Sequence, residues 1–454
     1  MQADIVILAA GQGSRMKSKL PKVLHPLAGR PLVQHVIDQA RTLEGANMHI
    51  VVGHGADTVE AALAKQGAHF YLQAEQLGTG HAVAQALPGL ALEGITLILY
   101  GDVPLTPAAV MQSMVEIAAR GRLALLTVEL DDPTGYGRII RNSVAEVVGI
   151  IEQKDANQEQ LKVCEVNTGI LALPTKLLAQ WLPKLSSNNA QGEYYLTDLI
   201  AMAAQAGITI ETLNPNAEYE VQGVNNRRQL AELERWYQLQ QAGRLMDEGV
   251  TLADPSRVDV RGHLTTGTDC FFDINVIFEG DVRLGSNVSI GPNTLLRDCQ
   301  IGDNVEILAN SHIDGALIAA GAQIGPYARL RPGTDLAMNT KVGNFVEIKK
   351  ATVGEGSKVN HLSYIGDAQI GADVNVGAGT ITCNYDGVNK SLTEIGDNAF
   401  IGSNTALVAP VKIGAGATIG AGSTITQQVA NEQLAVARSK QRNIDAWARP
   451  TKKG

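Results

Sequence analysis

Two hydrophobic rhythms divide this chain. Near the start, residues 5–8 (IVIL) and residues 96–100 (TLILY) are unbroken apolar runs. Such runs suit strands buried on both faces, as in a mostly parallel α/β sheet. In the second half the apolar beat changes. Ile318, Ile324, Leu330, Leu336, Val342 and Ile348 recur every sixth residue, as do Ile395, Ile401, Leu407, Ile413, Ile419 and Ile425. A period of six fits neither a helix nor an alternating strand. It fits a parallel β-helix, in which each short strand points one apolar residue into a stacked core. The small Gly or Ala after the apolar residue suits a corner where a larger Cβ would clash.

The six-residue beat runs from about residue 258 to 425, enough for roughly nine or ten coils, each buried only by its neighbours. It slips by one residue between Ile313 and Ile318 and between Ile348 and Val353. It breaks at CNYDGVNKSLTE, residues 383–394, whose Asn, Gly and Asp predict a protruding loop. Repeats of this kind resemble the left-handed parallel β-helix family. The resemblance implies three hexads per coil, a handedness opposite to the usual crossover rule, acyl-transfer chemistry and trimers. Between the halves, residues 226–249 are rich in helix formers, with Leu230, Leu233, Trp236 and Tyr237 at three-to-four spacing and Gly249 as a stop signal. The predicted organisation is therefore an α/β domain at 1–225, a helical arm at 226–249, and a β-helix with a basic tail at 250–454.

Composition narrows the function classes. At 454 residues the chain exceeds one ordinary domain. Its 47 glycines are explained by the repeat. A net charge of −9 argues against nucleic-acid binding, so anionic substrates must be caught by local cations. Cys164, Cys270, Cys299 and Cys383 show no CxxC spacing, which suits free thiols in a reducing cytoplasm. The first apolar run lacks a basic leader and is too short to span a membrane.

Candidate chemistry follows the first strand. Ala9-Ala10-Gly11-Gln12-Gly13-Ser14-Arg15 is a small-residue loop whose successive N–H groups can cradle phosphate. A dinucleotide fingerprint would place a third Gly where Met16 stands, and a Walker A loop would need GKS or GKT. Arg15 and Lys22 flank the loop and can make charge-assisted phosphate contacts. Gly101-Asp102 ends the second strand, where open α/β sheets bind ligands; Asp102 is a hard oxygen donor suited to magnesium, or a turn residue. Further loops supply Gly78, Thr79, Gly137, Glu152, Asn167 and Asn225.

In the repeat, four segments are too polar or aromatic for bare coils: 328–333, 342–350, 358–367 and 383–387. The acyl transfer that the β-helix resemblance implies, if made to an amine, needs a base for the ammonium proton. Of nine His, His361 stands in a dense polar motif, beside Arg331, Lys349 and Tyr364, which could hold a phosphate. Glu347 is the candidate for orienting it. The tail from residue 437 carries six Lys/Arg against one Asp, a solvated end or a contact for CoA phosphates.

The motif LAAGxG[ST]RM followed by LPK resembles the sugar-1-phosphate nucleotidyltransferases. With GEYYLTDLI at 192–200 and the segments above, nearly the whole chain is similar to the bacterial family of bifunctional N-acetylglucosamine-1-phosphate uridyltransferase/glucosamine-1-phosphate acetyltransferases. The resemblance implies that Leu8, Ala9, Ala10, Gly11 and Lys22 hold UTP. It gives Gln73, Gly78 and Thr79 to uracil, with Tyr100, Gly101 and Asp102 beside them. It gives Gly137, Glu152 and Asn167 to the sugar, and Asp102 with Asn225 to Mg2+. In the β-helix it implies His361 as general base and Arg331, Lys349, Tyr364 and Asn375 for the sugar phosphate. Ala378, Asn384, Tyr385, Ser403, Ala421 and Arg438 would line the acetyl-CoA site. The implied substrates are glucosamine-1-phosphate, acetyl-CoA and UTP, and the implied assembly is a homotrimer. Two rivals remain: a single-activity sugar nucleotidyltransferase with a regulatory β-helix, and a non-enzymatic scaffold carrying a nucleotide-sugar sensor.

Overall fold

The computed structural model describes residues 3–452. The chain divides into two compact units between Tyr237 and Gln238, inside the helix Arg227–Asp247. The first unit is built on a nine-stranded sheet. Its strands are β1 (Ala3–Ala9), β2 (Asn47–Val52), β3 (His69–Leu72), β4 (Ile95–Tyr100), β5 (Leu123–Glu129), β6 (Arg138–Arg141), β7 (Val147–Ile151), β8 (Glu165–Pro174) and β9 (Ile210–Leu213). The order is β9-β5-β8-β4-β1-β2-β3, with the β6–β7 hairpin attached through β6 to β8. β8 runs antiparallel to β4 and β5; β1, β2, β3 and β4 are mutually parallel along the sheet.

Every residue of β1 is buried, the outcome expected of a central strand covered on both faces. Leu8 pairs with Tyr100 across the β1–β4 ladder, and the Gly101 N–H donates to the Leu8 carbonyl at 2.9 Å. The glycine loop after β1 and the Gly-Asp turn after β4 therefore leave the sheet side by side. β8 returns to the same edge, and Gly169 (φ 89°) is required there, because a Cβ would stand 2.6 Å from the Tyr100 ring.

The second unit is a stack of short parallel strands, the left-handed β-helix its repeat predicts. All twelve residues of the two six-residue ladders are buried, none more than 4 % exposed. One column reads Phe271, Ser289, Glu306, Gln323, Lys341, Lys358 and Asn375 from coil to coil. Each slip of the beat shortens a coil, and a residue in the left-handed region takes it up: Gly315 (φ 58°) in one and Lys350 (φ 46°) in the other. Small residues meet the backbone of the next coil, as expected; a Cβ on Gly402 would lie 2.5 Å from the Ala421 nitrogen. The left-handed corners themselves fall largely on asparagines, among them Asn293, Asn310 and Asn404, since Asn tolerates that conformation. At residues 383–394 the chain leaves the coil as a hairpin, with Tyr385 and Lys390 bridged antiparallel and Val388 84 % exposed at its tip.

Candidate active sites

In the first unit a cavity of about 300 Å³ opens at the carboxyl edge of β1 and β4. Its lining includes Leu8, Ala9, Ala10, Gly11, Lys22, Gln73, Gly78, Thr79, Tyr100 and Asp102. Strand ends place the first four and the last two; a clamp places Gly78 and Thr79. Gly80 N–H donates to the Tyr194 carbonyl and Tyr194 N–H to the Leu77 carbonyl, each at 2.8 Å. The Leu196 N–H donates to Thr79 Oγ1 at 3.1 Å. A Cβ at Gly78 (φ 111°) would collide with Tyr194 at 2.7 Å, so glycine is the residue that lets the 77–80 loop close on 192–197.

The cations and carboxylate form one cluster, of which Lys22 and Asp102 line the cavity. Lys22 Nζ is paired with the Asp102 carboxylate, both about 15 % exposed or less, and lies 3.3 Å from Asn225 Oδ1. Arg15 donates to the same Asn225 oxygen at 3.0 Å. Asn225 is held by its own N–H, which donates to Gln229 Oε1 at 2.8 Å in the first turn of the helix Arg227–Asp247. The Asp102 and Asn225 oxygens thus already converge on a cation. That donor set fits magnesium, which takes few protein oxygens and completes its shell with phosphate and water. Among the described residues no cluster of three or more His, Cys, Asp or Glu could hold a metal by itself.

Gly137, Glu152 and Asn167 gather beyond Tyr100. A Cβ on Gly137 would stand 3.3 Å from Glu152 Oε1, and the Asn167 N–H donates to the Gly137 carbonyl at 2.9 Å. Burial, followed by the charges of Asp102 and Glu152, pushes the Tyr100 phenol well above its usual range, so it remains a neutral donor. Burial is also the main cause that raises the Glu152 carboxyl, against the pull of Thr197 Oγ1, which donates to it at 3.2 Å. A carboxyl whose folded pKa is raised stabilises the fold below its unfolded pKa, and that contribution is lost as pH rises through the folded pKa. Glu152→Gln is therefore expected to melt higher than the parent at neutral pH, with the difference vanishing below the ordinary carboxylate range. Thermal scans across that range check it, and equal melting points at neutral pH would refute the burial argument. Sequence reasoning missed Gln76 and Glu193 on the cavity wall and Thr197 on Glu152. Glu193 and Thr197 lie in the GEYYLTDLI segment, residues 192–200.

In the second unit, parallel register aligns the polar segments. Glu347 pairs with Tyr364 and Lys349 with Gly366, while Asn344 pairs with His361. His361 Nδ1 faces Asn344 Oδ1 at 2.9 Å. The amide oxygen accepts, so the proton sits on Nδ1 and the lone pair on Nε2. This corrects the expectation that Glu347 orients His361. Glu347 is engaged elsewhere, by Arg331 at 2.7 Å and Arg329 at 3.7 Å. The slipped beat could have revealed the true partner, because a shortened coil places Asn344, 17 residues back, directly over His361.

Lys349 stands among like charges. A contact from Lys390 and the charges of Lys390 and Arg331 lower its pKa. Lys390, carried back by the protruding hairpin, is a cation that sequence reading did not single out. The Asn384 amide donates to Asp367, while Tyr385 is 58 % exposed. Asn375 pairs with Lys358 and Phe400 one column over. Ala378, Ser403 and Ala421 stack along one corner: Asn404 N–H donates to the Ala378 carbonyl at 2.7 Å and Gly422 N–H to the Ser403 carbonyl at 2.8 Å. Arg438 extends that line by donating to the Ala421 carbonyl at 2.7 Å.

Comparison with known proteins agrees with this two-part arrangement. A MobA-like NTP transferase domain profile matches residues 5–166, and the bacterial transferase hexapeptide (six repeats) profile matches residues 392–427. A protein of Marinobacter nauticus named "Bifunctional protein GlmU" is 62 % identical over 448 residues, covering 99 % of each chain. Proteins of the same name are 62 % identical over 450 residues in Cellvibrio japonicus and 57 % over 450 residues in Burkholderia vietnamiensis, each again covering 99 % of both chains.

Proposed function

The chain belongs to the bifunctional GlmU protein family, and on that premise we propose how its residues divide the work. It is a bifunctional enzyme: it acetylates glucosamine-1-phosphate with acetyl-CoA, then transfers UMP from UTP to N-acetylglucosamine-1-phosphate, releasing pyrophosphate. The observation that best supports the residue assignment is the convergence of Lys22, Arg15, Asp102 and Asn225 on one cavity edge, with His361 exposing a free Nε2 in the other unit.

In uridylyl transfer the sugar-phosphate oxygen attacks the α-phosphorus of UTP. That oxygen is already ionised at neutral pH, so no general base is needed; positioning and charge neutralisation do the work. The 9–11 loop holds the triphosphate by backbone N–H groups, Lys22 binds its phosphates, and Arg15 stabilises the departing pyrophosphate. Gln73, Gly78 and Thr79 hold the base; Gly137, Glu152 and Asn167 hold the sugar. Asp102 and Asn225 would hold magnesium, which when bound would offset the negative charge of the phosphates.

In acetyl transfer His361 Nε2 takes a proton from the sugar ammonium. The freed amine attacks the thioester carbonyl, and CoA leaves as the thiolate. Arg331, Lys349, Tyr364 and Asn375 hold the sugar phosphate, joined by Lys390. Ala378, Asn384, Tyr385, Ser403, Ala421 and Arg438 line the CoA path. The test is a two-channel assay with glucosamine-1-phosphate, acetyl-CoA, UTP and magnesium, following CoA thiol and pyrophosphate separately. Thiol without UTP, and pyrophosphate only after acetylated sugar forms, is the expected order. Pyrophosphate without thiol would leave the β-helix a regulatory element.

The β-helix also carries an apolar ladder that a homotrimer would cover. Tyr327, Phe345 and Leu362 occupy corners that asparagine holds in other coils, and they are 52 %, 55 % and 63 % exposed. The Tyr327 and Phe345 rings stack at 5.3 Å. Leu362 adjoins His361, so a second copy laid on this corner would stand beside the acetyl site. Sedimentation equilibrium is expected to give three chains per particle; a monomer mass would end this reading. No helix among the described residues is long and apolar enough to cross a membrane, and we place the enzyme in the cytoplasm, where its free thiols remain reduced.

A further inference from the structure

We propose that His81 is a positioning residue that locks the amide of Gln73 in one orientation and so makes the nucleotide cavity select uracil over cytosine. The inference rests on the reading of Gln73 as a base contact. Gln73 is 3 % exposed and lines the cavity. Its Nε2 lies 3.1 Å from the Gly78 carbonyl and 3.1 Å from His81 Nδ1. A backbone carbonyl can only accept, so the amide nitrogen belongs on that side. Gln73 Oε1, which accepts no hydrogen bond within the protein among the described residues, is the atom left for the cavity.

The second anchor works only in one state of the ring. For Nδ1 to accept, His81 must be neutral with its proton on Nε2. Nε2 lies 3.2 Å from the Gln85 amide nitrogen, which already donates to the His81 carbonyl at 3.1 Å. Two amide groups thus compete for one lone pair. Gln73 is the more buried of the two, and an unmade bond costs more where water cannot replace it, so the lone pair faces Gln73. The clamp segment packs on the same ring, with Tyr194 tilted across it at 6.4 Å between centroids.

The consequence is chemical. Uracil offers N3–H as a donor, which Oε1 accepts. Cytosine offers a lone pair at N3, which Oε1 repels. An unanchored glutamine amide could turn over and present its NH₂ to cytosine; two acceptors on one side prevent this. His81 is therefore expected to matter for the ratio of the two nucleotides more than for either rate.

The experiment measures pyrophosphate release from UTP and from CTP with N-acetylglucosamine-1-phosphate, in the full chain and its variants. His81→Leu should lower the UTP:CTP ratio of kcat/KM by about tenfold, the loss of one buried hydrogen bond. His81→Asn, whose Oδ1 can accept in place of Nδ1, should retain most of the ratio. His81→Phe keeps a ring without an acceptor and stands in if the leucine variant melts early. A His81→Leu or His81→Phe enzyme that loses both nucleotides equally, or keeps its ratio, overturns the proposal. Gln73→Leu separates the two layers: if it leaves the ratio unchanged, the base-contact reading itself is wrong, whatever His81 does.

Discussion

His361→Ala is expected to slow acetyl transfer by about 10²–10⁴-fold, ~3–5 kcal/mol of barrier, and to leave uridylyl transfer intact. The size follows from the role: without a positioned base the ammonium of the amino sugar must lose its proton to water before it can attack. The selectivity follows from the fold, because His361 lies in the second compact unit and the nucleotide cavity in the first. The geometry adds a graded control. Asn344 fixes the proton of the imidazole on Nδ1 at 2.9 Å, so Asn344→Ala should cost less, about tenfold, by loosening the ring without removing it. Glu347→Ala should act through Arg331, its 2.7 Å partner, and raise the KM for the sugar phosphate more than it lowers kcat. The two-channel assay reads all three. A matching fall in thiol and pyrophosphate release after His361→Ala would mean the fold had been damaged, not a base removed.

Asp102→Ala should lower pyrophosphate release by at least about 10²–10³-fold, the scale on which a single preorganised electrostatic group contributes to a charged transition state. Asp102 follows the end of β4 and lines the cavity, where it is paired with Lys22, which lies 3.3 Å from Asn225 Oδ1. On the proposed assignment its loss would remove an oxygen donor for magnesium, and it leaves the Lys22 ammonium without its carboxylate partner at a site about 15 % exposed. The second effect is one of stability and shows in the melting temperature; the first shows in the dependence on magnesium. Near-normal release with magnesium present would sink the assignment. The acetyl channel serves as the internal standard and should not change.

Much of this architecture was legible because it is periodic. Burial of one side chain per hexad is a local rule repeated along the backbone, so Ile324, Leu330 and Ile401 announce their interior positions without reference to any distant residue. The strand–glycine-loop pattern is local too: residues 5–15 contain both the buried ladder and the turn that follows it. The break at 383–394 was visible for the converse reason, since a polar run cannot fill a coil side. The corners were only half visible. Small residues beside the apolar beat suggested close approach, but the left-handed positions carried by asparagine emerge from backbone geometry, as do the three corners where Tyr327, Phe345 and Leu362 accept that conformation.

What the sequence determined by itself, then, is the pair of folds and the inventory of reactive groups, because both are written in short-range patterns of polarity and size. What tertiary structure decided is which of those groups meet. Asn225 and Lys22, 203 residues apart, come together only because β1 and β4 are neighbours in the sheet and the chain returns to their edge before the helix begins. Asn344, not Glu347, holds His361 because coil length, set by a one-residue slip, chooses the residue stacked above it. Lys390 reaches Lys349 only through the fold of a hairpin. Gln73 acquires a direction only from two acceptors, Gly78 and His81, that a separate clamp holds in place. Contacts of this kind depend on register and closure, which sum over the whole chain, and no short window of residues carries that sum.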